Sequence, residues 1–119
     1  MVKKIVPSER KIRAAVVGCG RISKKHFEAI QYHAEQMELV SVCDTDPEIL
    51  SVSYEKYGVA TYLHLVDMIK NEELDLVVLC TPSGLHAKQA ELVAEYGINV
   101  VTEKPMATRW HDGLRMVKA

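Results

Sequence analysis

The hexapeptide Gly18-Cys19-Gly20-Arg21-Ile22-Ser23 follows directly on the apolar run Ile12 to Val17. Its pattern is G-x-G-x-x-S. The first glycine permits a tight turn out of a strand. The second lets a pyrophosphate approach the backbone at a helix N-terminus, where free N–H groups and the helix dipole favour an anion. Ser23 stands where a third glycine is usual, and it is small enough for close helix–strand packing. On its own such a pattern is weak and describes many tight structural turns. A strand before it and a helix after it make it a dinucleotide-binding reading.

Asp44 closes the next apolar run, in Val42-Cys43-Asp44-Thr45-Asp46, and lies 24 residues beyond Gly20. A carboxylate about 20 residues after the glycines accepts hydrogen bonds from ribose hydroxyls and repels a 2′-phosphate. No arginine follows it, which favours NAD over NADP. Asp46 competes for the role, but it precedes Pro47 and suits a helix cap better. S-adenosylmethionine enzymes share a glycine loop and an acid after the second strand. They usually carry an acid just before the loop, where this chain has Ala14-Ala15-Val16-Val17.

Thr81 to Gln89, TPSGLHAKQ, ends another apolar run and opens a helix. Thr81 and Pro82 fall where ligands bind at the carboxyl edge of a parallel sheet. Ser83 suits a cap, and His86 lies in the first turn, placed for cofactor or substrate contact or for packing. The cysteines, Cys19, Cys43 and Cys80, each end a strand. Their spacing fits no metal motif, and they read as reduced thiols packed beneath a cofactor. His26, His33, His64 and His111 make no ligand spacing either. Last, Val100 and Val101 run into Thr102, Glu103, Lys104 and Pro105. A core asks for no carboxylate, ammonium and proline in succession.

The elements that must hold these residues alternate. Strands are expected over Ile12 to Val17, Leu39 to Cys43, Ala60 to Tyr62, Leu74 to Cys80 and Ile98 to Thr102. The first helix is expected over Arg21 to Gln36, with Phe27, Ile30, Ala34 and Met37 at helical spacing. The second starts at Asp46-Pro47, shows a stripe of Leu50, Tyr54 and Tyr57, and stops at Gly58. A short third contains Leu65, Met68 and Ile69. The fourth runs from Ser83 to Tyr96, with Ala90, Val93 and Ala94 facing inward and Gly97 as its stop. Thr108 is read as the cap of a last helix with Trp110, Leu114 and Val117 on its apolar face. Strands apolar throughout and separated by helices imply an α/β Rossmann-type parallel sheet with helices on both faces.

The 119 residues suffice for one such domain, over residues 12–119, with residues 1–11 as an N-terminal extension. The formal charge of −1 points neither to nucleic acid nor to an acidic disordered chain. No apolar run approaches the roughly 20 residues of a membrane span, and the N-terminus lacks the apolar stretch of a secretory signal. A cytoplasmic protein is expected. The chain stops within its last expected helix, which reads as a truncation.

Together, Gly18-Cys19-Gly20-Arg21-Ile22-Ser23, Asp44, Thr81-Pro82 with His86, and Glu103-Lys104-Pro105 resemble the nucleotide-binding half of the glucose–fructose oxidoreductase/inositol dehydrogenase (Gfo/Idh/MocA) family. The stretches GCGRISKKHFEAI, TPSGLHAKQA and EKPMATRW look most like the UDP-N-acetylglucosaminuronate 3-dehydrogenases of surface-polysaccharide (lipopolysaccharide) biosynthesis. The resemblance implies hydride transfer from C3 of a UDP-N-acetylhexosaminuronate to NAD. It makes Lys104 the catalytic residue beside the nicotinamide, in contact with the hydroxyl being oxidised. Gly18, Cys19, Gly20, Arg21, Ile22, Asp44, Thr81, Pro82, His86 and Glu103 would bind the cofactor together with Lys104. It further implies a second α+β domain, absent here, that supplies the sugar pocket and a homo-oligomer interface, so that this fragment alone is inactive. An inositol or free-sugar dehydrogenase, and a non-catalytic NAD-binding regulator of the same fold, are the alternatives.

Overall fold

A computed structural model describes residues 10–20, 23–81 and 83–102. The elements in chain order are β1 (Ile12–Val17), α1 (Lys24–Tyr32), β2 (Met37–Cys43), α2 (Pro47–Tyr57), β3 (Ala60–Tyr62), α3 (Leu65–Asn71), β4 (Leu76–Leu79), α4 (Ser83–Glu95) and β5 (Asn99–Thr102). The strands form one sheet in the order β3-β2-β1-β4-β5, and every neighbouring pair is parallel. This is the Rossmann-type α/β sheet expected from the alternating pattern.

Ala14, Ala15, Val16 and Val17 of β1 are all buried, because helices cover both faces of the sheet. On one face Ala14 and Val16 pack with Phe27 and Ile30 of α1 and Leu50 of α2. On the other, Ala15 and Val17 pack with Met68 and Ile69 of α3 and Val93 of α4. Full burial of each large side chain contributes about 1.5–3 kcal/mol. An aromatic stack of Phe27 on Tyr57, with centroids 4.3 Å apart, ties α1 to α2.

The register aligns the strand ends. Val17 pairs with Cys43 on one side and Leu79 on the other, Cys43 pairs with Tyr62, and Leu79 pairs with Thr102. Gly18, Asp44, Leu63 and Cys80 therefore leave the sheet along one edge. At the opposite edge the buried carboxylate of Asp75 accepts both Arg10 guanidinium nitrogens, at 2.6 and 2.9 Å, and the Arg13 N–H at 2.8 Å.

One boundary and two helix-face expectations shift. The first helix ends at Tyr32, and Met37 belongs to β2, where it pairs with Ile12 and is buried; Ala34 is exposed in the turn between. A buried apolar residue at helical spacing looks the same in either element, and the need to return within a few residues to β1 decided it. On α2 the inward residues are Leu50 and Ser53, with Tyr57 half-buried, whereas Tyr54 is 59% exposed. On α4, Val93 is buried but Ala94 is exposed. The expected stops hold: Gly58 and Gly97 take φ of 66° and 75°. The helix expected from Thr108 lies outside the described residues.

Candidate functional site

Gly18 leaves β1 at φ +86°, and its N–H donates to the Cys43 carbonyl at 2.7 Å. A Cβ at Gly18 would lie 3.0 Å from the Cys80 carbonyl carbon and 3.1 Å from Thr81 Cγ2. The turn after β1 thus packs directly against the turn after β4. At Gly20 a Cβ would meet nothing within 4 Å among the described residues. One glycine serves the turn and the other leaves open space over the backbone, as the two roles in the motif require. Ser23 is buried, and both its hydroxyl and its N–H donate to the Gly20 carbonyl, at 2.5 and 3.1 Å. Its small side chain fits the packed third position. Arg21 and Ile22 lie outside the described residues.

Asp44 stands half-buried just past β2. Its Oδ2 accepts the Cys19 N–H at 2.8 Å and its Oδ1 the Asp46 N–H at 2.9 Å. Asp46 is occupied as expected: it caps α2, accepting the Glu48 N–H at 2.9 Å. Asp44 is thus the acid that faces the glycine turn.

Between these turns opens a cleft of about 620 Å³, within the range of small-molecule and cofactor sites. Gly18, Gly20, Asp44, Thr45, Cys80 and Thr81 line it, together with Leu63 to Val66 and, from α4, Leu85 and Gln89. Leu63 to Val66 and Gln89 went unnoticed in the sequence. The signal for the former was positional, since any segment leaving β3 emerges at the same edge. The Thr81 hydroxyl donates to the Gln89 side-chain carbonyl. Among the described lining residues Asp44 is the only carboxylate, His64 supplies the only imidazole, and there is no lysine or arginine. A second hollow of about 670 Å³ shares Leu63 and His64 but lies between α2 and α3, away from the glycine turn.

The cysteines divide. Cys43 and Cys80 line the cleft, and Cys19 and Cys80 pack against the core on the α1–α2 face. Burial pushes the Cys19 thiol up to about 12 and the Cys43 thiol up to about 11. Both are protonated at neutral pH and neither can act as a thiolate nucleophile. No group of three or more His, Cys, Asp or Glu among the described residues could hold a metal ion. His86 falls in the first turn of α4. Pro82, Glu103 and Lys104 lie outside the described residues, though Lys104 follows Thr102, the last residue of β5, by two positions in sequence. No described helix is long and apolar enough to cross a membrane.

A glycine turn, an acid after β2 and a cleft at the switch point beside β1 define a dinucleotide-binding domain. Residues 12–119 match the oxidoreductase family Gfo/Idh/MocA, NAD-binding Rossmann fold, and the chain belongs to that family. It is similar to the WlbA dehydrogenase of Chromobacterium violaceum, solved with NADH and UDP-GlcNAcA, at 49% identity and a TM-score of 0.81 over 99% of this chain and 34% of that one. The Bordetella pertussis WlbA dehydrogenase, solved with the same two ligands, is 54% identical over 92% of this chain and 34% of its own, with a TM-score of 0.78. D-apiose dehydrogenase of Paraburkholderia graminis is 31% identical over 92% of this chain and 29% of its own length. The chain spans about a third of the length of the relatives it matches.

Proposed function

We propose that the protein carrying this domain is an NAD-dependent nucleotide-sugar dehydrogenase that oxidises the 3-hydroxyl of a UDP-linked N-acetylhexosaminuronate. The observation that carries this reading is the 49% and 54% identity to two dehydrogenases solved with NADH and UDP-GlcNAcA. Inositol dehydrogenase structures stand at 25–27%.

The residues of the cleft suit the cofactor. The open space above Gly20 admits a pyrophosphate at the N-terminus of α1, where backbone N–H groups supply the positive potential that the described walls lack in side chains. Gly18 and Cys19, with Arg21 and Ile22 next in sequence, would bind the cofactor there. Asp44 would accept the adenosine ribose hydroxyls and disfavour a 2′-phosphate. Thr81, Pro82 and His86 would border the nicotinamide side, with Glu103 at its ribose. The nicotinamide supplies the hydride acceptor. Lys104 would hold the substrate hydroxyl about 3 Å away and stabilise the oxygen as its proton leaves. The sugar pocket, a proton-accepting histidine and a homo-oligomer interface are assigned to the remainder of the protein, beyond this domain. The product would feed lipopolysaccharide precursor synthesis in the cytoplasm.

The test is reduction of NAD by the full-length protein, followed by NADH absorbance, with UDP-GlcNAcA, inositol and glucose offered separately. Turnover with UDP-GlcNAcA alone is expected. Turnover with inositol or glucose and none with the nucleotide sugar would overturn the substrate and leave the family standing. The weaker likeness to inositol dehydrogenases, 33% identity over 80% of this chain for that of Rhizobium meliloti, supports inositol as the second reading.

A further inference from the structure

Gln89 sits two turns into α4, yet it reaches the floor of the cleft. Its side-chain carbonyl accepts the Thr81 hydroxyl. Thr81 in turn lies against the glycine turn: its Cγ2 would be 3.1 Å from a Cβ at Gly18, and the Cys80 carbonyl carbon 3.0 Å. A threonine side chain carries a methyl and a hydroxyl on one carbon, and a change of χ1 rotamer exchanges their places. The bond to Gln89 removes that freedom. It holds the hydroxyl toward α4 and leaves the methyl against Gly18.

We propose that Gln89 is a positioning residue of the dinucleotide site, fixing the Thr81 rotamer so that the methyl closes the floor beneath the glycine turn. The proposal rests on the cofactor reading above and adds a residue to it. With the hydroxyl released, Thr81 samples rotamers that take the methyl off Gly18, and the turn that must receive the pyrophosphate loses its support. Preorganisation of this kind governs affinity more than contact area does.

The experiment is NADH titration of the full-length protein by nicotinamide fluorescence, well below its unfolding temperature, with no sugar present. Gln89→Met keeps the length of the side chain and removes the acceptor. It should raise the Kd for NADH about threefold to tenfold, the equivalent of one net hydrogen bond. Gln89→Glu, which keeps an acceptor for Thr81, should sit closer to the unsubstituted protein in Kd than Gln89→Met does. The double-mutant cycle decides between positioning and general loosening. In a Thr81→Val background there is no hydroxyl to hold, and Gln89→Met should change the Kd less than twofold further. Equal effects of Gln89→Met in both backgrounds, or a lowered melting temperature with unchanged Kd, would overturn the proposal. An unsubstituted protein that binds no NADH would overturn the cofactor reading as well, a different outcome from either.

Discussion

The carboxylate of Asp44 joins two loops: Oδ2 holds the Cys19 N–H at 2.8 Å and Oδ1 the Asp46 N–H at 2.9 Å. The acid read as a ribose ligand is therefore also the clasp between the glycine turn and the start of α2. Replacing it acts on affinity and on loop order together.

Asp44→Ser should weaken NADH binding at least tenfold and narrow the preference over NADPH, because the repulsion of a 2′-phosphate goes with the charge. Loss of the two accepted N–H bonds should lower stability by about 1–2 kcal/mol. Fluorescence titration with both cofactors and urea unfolding measure the two effects. Similar affinity of the unsubstituted protein for NADH and NADPH would sink the specificity argument.

Gly18 and Gly20 should separate on substitution. Gly18→Ala places a Cβ 3.0 Å from the Cys80 carbonyl carbon at φ +86°, and should cost about 2 kcal/mol or more of stability. Gly20→Ala has room for its Cβ and should melt within a few degrees of the parent, yet bind NADH at least tenfold more weakly if the pyrophosphate occupies that space. Thermal melts beside titrations test the pair. Normal NADH binding by Gly20→Ala would place the phosphates elsewhere.

Arg10 and Asp75 belong to the other edge of the sheet. Arg10→Ala removes the guanidinium from a carboxylate that is 1% exposed. Stability should fall by about 1–3 kcal/mol, with the Kd for NADH unchanged. A changed Kd would mean that this edge communicates with the cleft.

Alkaline pH should destabilise the fold. The Cys19 and Tyr62 groups are raised to about 12 and the Cys43 thiol to about 11. Burial does this for the thiols, and the 2.5 Å hydrogen bond to Glu72 does it first for Tyr62. Folded-state values above the unfolded ones mean each proton is held more tightly in the folded chain. That contribution is complete below about pH 9 and is lost progressively as pH climbs from there through the folded-state values of about 11 to 12. Urea unfolding at pH 8 and pH 10.5 should show the loss, and Tyr62→Phe should flatten its Tyr62 share. A flat profile over that interval contradicts the assignment.

If the proposed dehydrogenase reading holds, Lys104→Ala in the full-length protein should leave the Kd for NADH within a few fold and cut turnover by roughly 10² or more, as for one positioned acid–base group. Steady-state kinetics beside titration measures both, and near-normal turnover would reduce Lys104 to a surface residue.

Much of this was legible in the chain, for identifiable reasons. The strands of a sheet covered on both faces are unbroken apolar runs, and Asp46-Pro47, Gly58 and Gly97 are punctuation with a backbone cause. Gly18, Gly20 and Asp44 could be read because their roles depend on spacing along one βαβ unit. Ser53 and Met37 could not, since their burial depends on which neighbour arrives in space. Gln89 and Leu63 to Val66 were missed for the same reason: they reach the cleft through sheet register and helix length, which periodicity does not encode.

The sheet order has a consequence for how the cleft comes into being. Its walls are drawn from residues 17–20, 43–45, 63–66 and 80–89, and β1 pairs with β2 and β4, parallel neighbours that the chain reaches only by crossovers. None of these four segments supplies half of the lining. Each parallel pairing must close a long loop before it gains a contact, which makes such sheets slow to assemble. Free NAD at a hundred times its Kd would deepen the folded well of this domain by about 2.7 kcal/mol, so the dinucleotide would act as a folding ligand.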